Sequence, residues 1–143
     1  MLISKELSPN DVGLTGSHQA GILIPKDAHI LAFFPALDPA LRNPRSSMPF
    51  QDPSGQVWTF TFIYYNNRLF GRTRNEYRLT GMTRFLRESS LQPGDTVVLG
   101  KDSRLNYSVD YVRRRKAVRE GHIGLQLGGT WKIISTKGGS DGK

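Results

Sequence analysis

Four arginines, three asparagines and a glutamate are packed into residues 63–78, IYYNNRLFGRTRNEYR, directly behind a run of alternating aromatic residues. Together these side chains can read base edges. Arginine forks onto the two major-groove acceptors of guanine, asparagine pairs with adenine, and a carboxylate accepts from the amino group of cytosine. A segment that gripped phosphate alone would need no carboxylate. The candidates in it are Asn66, Asn67, Arg68, Arg72, Arg74, Asn75, Glu76, Tyr77 and Arg78. The same composition also describes a solvated basic hairpin. Glu76 can hold Arg74 or Arg78 in a fixed rotamer by a salt bridge as readily as it can accept from a base.

The charge balance points to a polyanionic partner. The chain carries a net charge of +8 and a pI near 10.1, and its cations are clustered: six of the 20 basic residues lie in 68–87 and seven more in 101–119. Clustering marks a face, not a general device for solubility. The second cluster, Arg113, Arg114, Arg115, Lys116 and Arg119, lacks interleaved aromatics or amides. It reads as contact to a nucleic-acid backbone or as a solvated face. With 143 residues and 37% hydrophobic content, one domain with a true core is expected, over 1–136, followed by a flexible tail over 137–143 that ends GGSDGK. Cysteine is absent, which excludes disulfides and thiolate metal sites and suits a reducing cytoplasm. Without a long apolar run or a signal peptide, the chain is expected neither to span a membrane nor to be secreted.

The elements that position these residues are mostly strands. Trp58, Phe60, Phe62 and Tyr64 alternate with Thr59, Thr61, Ile63 and Tyr65, the pattern of a central β-strand whose aromatics face a core. A stacking platform for single strands is the weaker reading of that ladder. Its end delivers the arginine segment, and Tyr77 to Thr80 is the returning strand. Short apolar runs at 20–24, 96–99, 107–112, 123–127 and 131–134, cut by Gly, Pro, Asn and Asp, complete a mainly antiparallel all-β domain of barrel or sandwich type. Two short helices are expected. One opens at Pro25, Lys26 and Asp27 and places Ile30, Phe33 and Phe34 on the core before Pro35. The other carries Met82, Phe85 and Leu86 behind Thr80 as its cap. Residues 36–56 hold four prolines and read as a surface loop, with Leu37, Leu41 and Phe50 too scattered to define an element.

Catalytic patterns are poor. The nearest imitation of a nuclease metal site is Asp52 with Glu76-Tyr77-Arg78. It has arginine where a tunable lysine is needed. His18, His29 and His122 lack metal-ligand spacing. The loop GLTGSHQAG, residues 13–21, lacks the Gly-Lys-Ser/Thr ending of a nucleotide-phosphate loop. No catalytic site, metal or cofactor is therefore expected. The glycines of that loop, Gly13, Gly16 and Gly21, would let His18 approach a phosphate or a groove edge closely.

Two separated motifs carry a family resemblance. LSPNDVGLTGSHQAGILIPK at 7–26, followed in order by IYYNNRLFGRTRNEYRLT at 63–80, resembles the N-terminal effector domain of EcoRII-like type IIE restriction endonucleases. The stretch from Trp58 through Asn67, with Leu79-Thr80-Gly81, Phe85, Leu91, Gly94-Asp95 and Tyr107, is similar in outline to the plant B-three transcription-factor domain. The two families share the DNA-binding pseudobarrel. The resemblance covers most of residues 7–112 and implies a mainly β, seven-stranded open pseudobarrel with two short helices, gripping double-stranded DNA between two arms. The first arm would run from Asn10 to Gln19, with His18 at a contact position, and the second from Asn66 to Arg78, with Arg72, Arg74, Glu76 and Arg78 at contact positions. Tyr77 stands where the family has lysine, and Leu23 where it has tyrosine.

What the resemblance implies is sequence-specific binding of a short C/G-rich palindrome of CCWGG type, W being A or T, as the effector domain of a bacterial, cytoplasmic restriction-modification enzyme. The nuclease would lie in a C-terminal domain of the parent chain. Binding of a second copy of the site would then stimulate cleavage or relieve its inhibition. A stand-alone pseudobarrel transcription regulator is the alternative from another class, and an RNA-binding or general polyanion-binding barrel is a third.

Overall fold

The aromatic alternation at 57–65 is the strand on which the rest is assembled. The computed structural model describes residues 1–13, 21–67, 71, 74–114 and 131–135. In chain order it contains Leu2–Glu6 (β1), Ile22–Ile24 (β2), Ala28–Leu31 (α1), Arg45–Gln51 (β3), Val57–Tyr65 (β4), Glu76–Thr80 (β5), Thr83–Glu88 (α2), Thr96–Lys101 (β6), Tyr107–Val112 (β7) and Trp131–Ser135 (β8). One face of β4 buries Trp58, Phe60 and Phe62. Phe34 stacks on Phe62 at 4.5 Å and Phe50 meets Phe60 at 5.1 Å, while Phe85 of α2 closes edge-on over Trp58 at 5.2 Å. The ladder is core. Full burial of one such ring stabilises the fold by roughly 1.5–3 kcal/mol.

The strands form one sheet in the order β2-β5-β4-β3-β7-β6-β1-β8. Every pairing is antiparallel except β3 with β7, which touch in parallel at Phe50 with Tyr107 and Gln51 with Ser108. The sheet curls until its ends meet: the Trp131 indole N–H of β8 donates to the Leu23 carbonyl of β2 at 3.0 Å. The closure is therefore a side-chain bond, and the barrel is open in its backbone ladder. Eight strands stand among the described residues where the resemblance implies seven. The two short helices are present. Asp27 caps α1, accepting from the His29 and Ile30 amides at 2.7 and 3.3 Å, and Ile30, Phe33 and Phe34 are buried.

Two expectations are corrected. Residues 36–56 are not all loop, since Arg45–Gln51 is a strand that buries Met48 and Phe50. Pro49 is tolerated there because β3 pairs along its whole length with β4 alone and reaches β7 only at Phe50 and Gln51. Thr80 does not cap α2. It ends β5 and its hydroxyl donates to the Thr61 carbonyl at 3.3 Å, while Met82 occupies the cap position without a side-chain bond. The expected strand at 123–127, His122 and the tail at 137–143 lie outside the described residues. No described helix is long and apolar enough to cross a membrane.

Among the described glycines, Gly21 lies closest to a neighbouring backbone. Its φ is +79°, and a Cβ there would run into the Leu79 carbonyl oxygen and sit 2.7 Å from Thr80 Cα. Gly21→Ala should therefore push β2 off β5 and cost more than about 1 kcal/mol, which a urea-unfolding midpoint will report; an unchanged midpoint would mean that β2 adapts freely.

Candidate functional site

Two loops flank β5. The first leaves β1 and returns through Gly21 to β2, whose Ile22 pairs with Leu79; the second joins β4 to β5, where Tyr65 pairs with Glu76. Their roots thus sit at opposite ends of one short strand, roughly 13–16 Å apart at about 3.3 Å per residue.

Each root is fixed by buried polar contacts. In the first loop, Lys5 is only 5% exposed and places its ammonium 2.7 Å from the Asp11 carboxylate. That carboxylate also accepts from the Ser8 amide at 2.9 Å. A buried cation is tolerated only when paired in this way. Leu7 is clamped to the turn before β6, its amide donating to the Asp95 carbonyl and its carbonyl accepting from the Gly94 amide.

At the second root, Asn66 is fully buried. Its Oδ1 accepts from the Asn43 amide at 2.8 Å and its Nδ2 donates to the Leu41 carbonyl at 2.7 Å. Expected as a contact residue, Asn66 is placed in this structure below the surface, with its carboxamide holding the 41–43 loop. Asn67 is half-buried, and its Oδ1 has no partner among the described residues.

Arg74, Glu76 and Arg78 form one cluster. Glu76 Oε2 accepts from Arg74 at 3.1 and 3.2 Å and from Arg78 Nε at 2.6 Å. Partial burial pushes the Glu76 carboxyl up, but hydrogen bonds from Arg78 and Arg74, and then their charges, outweigh it and hold the group below the ordinary carboxylate range. The salt-bridge role foreseen for Glu76 is present. Arg78 is 8% exposed and also donates to the Gly21 carbonyl at 3.1 Å, so it ties the return of the first loop to the start of β5. Arg74 is the more open of the two arginines, with its guanidinium 3.8 Å above the centre of the Tyr65 ring. Stacking and pairing orient its fork without covering it.

Tyr77 is half-buried, lying on Tyr64 at 4.3 Å and parallel to Phe62 at 5.5 Å. Burial, with Tyr64 beside it, pushes its phenol up. Asn75 accepts from the Tyr64 hydroxyl. A ring column therefore carries the second loop down into the core. His18, Gln19, Arg68 and Arg72 lie outside the described residues, as do Arg115, Lys116 and Arg119. Of the second basic cluster, Arg113 is committed to structure, donating to the Ser89 and Ser90 carbonyls behind α2 at 2.7 and 3.2 Å. Sequence reasoning missed Tyr65 as the platform for Arg74, although it is the outward residue nearest the segment. It also missed the Lys5–Asp11 pair, which no local pattern announces.

Asp52 and Glu76 cannot share a metal site. Asp52 organises the turn between β3 and β4, accepting from Ser54, Gln56 and Trp58. Hydrogen bonds from the Ser54 and Trp58 side chains dominate in lowering its pKa to about 2. Glu76 faces the far end of β4, roughly 25 Å away along a nine-residue strand.

Residues 1–104 match the family described as Restriction endonuclease EcoRII, N-terminal. The type II restriction enzyme EcoRII of Escherichia coli is 39% identical over 84 residues, 53% of this chain and 19% of that protein. A B3 domain-containing protein of Oryza sativa subsp. japonica is 31% identical over 126 residues, 85% of this chain and 36% of its own length. Among solved structures, the Arabidopsis FUS3-DNA complex contains a similar chain, with a TM-score of 0.60 and 27% identity over 78% of this chain and 96% of that one. The chain thus spans well under half the length of the curated relatives it matches.

Two outcomes follow from the geometry. Asn66→Ala strands the Asn43 amide and the Leu41 carbonyl and should cost about 1–3 kcal/mol, read from thermal or urea unfolding; a loss within error would show that the 41–43 loop holds itself. Because the folded Glu76 carboxyl titrates below its ordinary value of 4.5, its contribution to stability is present above that pH and is lost as pH falls through the lowered folded value. Stability measured against pH for wild type and Glu76→Gln should therefore converge on acidification in that window, and parallel curves would remove Glu76 from the ion cluster.

Proposed function

The chain belongs to the family of EcoRII N-terminal domains, and from that premise we propose that it is a sequence-specific double-stranded DNA-binding domain, the effector or targeting module of a type II restriction endonuclease. The observation that carries the reading is the Arg74–Glu76–Arg78 cluster mounted on Tyr65 between two anchored loops. The loop roots stand roughly 13–16 Å apart, a spacing that suits a major groove about 12 Å wide. Arg74 is the base reader of choice, since its fork matches the paired acceptors of guanine, and Glu76 can accept from the amino group of cytosine. Arginine and glutamate on one site fit a C/G-rich target of CCWGG type read by two arms. Arg78 and Asn66 act from behind, as positioning residues. His18, Gln19, Arg68 and Arg72 complete the arms, and Asn75 and Tyr77 support the second.

In this reading the domain has no catalytic residues and needs no metal or cofactor of its own. Cleavage belongs to a nuclease domain elsewhere in the parent chain, in the cytoplasm of a bacterium. The match to B3 domain-containing proteins over 85% of the chain favours one second reading, a stand-alone transcription regulator with the same DNA-binding surface. A parent gene without a nuclease domain would select it.

The test is a gel-shift titration at about 0.15 M salt, where phosphate-driven binding is already weakened, against a CCWGG duplex, a one-base variant and an unrelated duplex. Tight binding to the first alone is expected; equal binding to all three would reject the target and send the search to unbiased site selection. Arg74→Ala should then cost about 1–3 kcal/mol and flatten discrimination at one base pair. Equal weakening on every duplex would make Arg74 a phosphate clamp.

A further inference from the structure

We propose that Arg45, at the start of β3, is a third point of contact, a clamp for one backbone phosphate of duplex DNA beside the second arm; this rests on the DNA-binding reading above. The unexpected strand β3 is what places it. Arg45 pairs with Ile63, Ile63 with Arg78, and Arg78 with Leu23, so a row of four residues crosses β3, β4, β5 and β2 on one face. By the two-residue period, Tyr65 and Glu76 lie on that same face. Arg45 therefore belongs to the surface that carries the Arg74–Glu76 cluster, two strands and about 10 Å from Arg78.

Its electrostatic situation differs from that of its neighbours. Arg78 is buried and shares Glu76 with Arg74, and Arg84 is paired with Glu88. Arg45 is exposed and has no carboxylate within 4.0 Å among the described residues. Its guanidinium is nonetheless held. Nε donates to the Asn43 carbonyl at 3.3 Å, and among the described residues neither terminal amino group has a partner, which leaves both for an anion. Asn43 is itself fixed, in a left-handed conformation at φ +50°, by the bond from its amide to Asn66. The chain of contacts Asn66–Asn43–Arg45 sets the cation at a constant distance from the root of the second arm. A planar fork, pre-oriented and without a carboxylate, is a ligand for phosphate oxygens. Standing to the side of the base-reading cluster, it faces the sugar-phosphate backbone of a duplex seated between the arms.

The experiment is binding of the whole chain to a CCWGG duplex between 50 and 200 mM salt, as wild type, Arg45→Gln and Arg45→Lys. Loss of one phosphate contact should reduce the slope of log K against log salt by about 0.9. Arg45→Gln is expected to show that reduction, with affinity at low salt about three- to tenfold weaker on the CCWGG duplex and on its one-base variant alike. Arg45→Lys should restore most of the slope. The thermal midpoint should not change, since the side chain is exposed. Duplexes carrying a single neutral methylphosphonate linkage then locate the partner: wild type should weaken at one linkage to which Arg45→Gln is indifferent, while both proteins respond to linkages elsewhere. An unchanged slope, or additive losses at every linkage, would overturn the assignment and leave the DNA-binding reading standing. Absence of duplex binding by the wild type would remove both.

Discussion

The strict period of two on β4 is the constraint from which the site follows. Its inward residues, Trp58, Phe60 and Phe62, are locked into the aromatic core, so its outward residues have no choice of direction. A slip of one position would turn the rings to solvent and the polar residues inward, which the loss of apolar burial forbids. The same locking passes to both neighbours through the ladders. β5 takes its register from β4 and presents Glu76 and Arg78 outward, and β3 does the same for Arg45. The cation-bearing face is thus a by-product of the core: side chains at the surface are placed by rings that never reach it.

Charge is arranged on that face in an economical way. Two arginines share one carboxylate oxygen, so the cluster keeps a net positive charge while one of its members, Arg78, is buried and hydrogen-bonded on both sides. Burying a guanidinium alone would be costly, and pairing it with Glu76 and a backbone carbonyl removes most of that cost. Lys5 and Asp11 solve the same problem at the first loop. The first loop is therefore rooted by an ion pair taken out of water, which salt screens little, and at the second site Arg78 is buried while Glu76 stays partly exposed and the more open Arg74 remains available to a polyanion.

Much of this was legible beforehand, and the failures have physical reasons. The strands at 57–65, 76–80, 96–101, 107–112 and 131–135 carried enough alternation or β-branched character to be found within a few residues. The strand at Arg45–Gln51 did not, because its inward set is just Met48 and Phe50 and a proline interrupts it; only pairing with the aromatic strand makes it a strand. Asn66 shows the limit for site residues. An asparagine behind an aromatic strand has the right atoms for adenine and also for clamping a loop, and the choice is made by residues 41–43, more than 20 positions away. The same holds for Arg113, whose partners lie on the turn after α2. Residue type states what chemistry is available, and long-range contacts decide which of it is used.

The strand order divides at the parallel contact between β3 and β7. On one side stand β2, β5, β4 and β3, all drawn from residues 22–80; on the other stand β7, β6, β1 and β8, which bring residues 2–6 beside strands drawn from 96–135. Among the described residues the strand ladder joins the two halves through two residue pairs at one seam, and the Trp131 indole bridges the other. Loop-closure entropy makes the first half the cheaper to assemble, since its pairings span shorter stretches of chain than the contact of β1 with β8. During vectorial synthesis residues 22–80 are complete before β6, β7 and β8 are made, while β1, already made, still lacks both of its partners. The recognition surface therefore lies in the half whose pairings close the shorter loops, while β1, the first strand made, pairs across the long loops to β6 and β8.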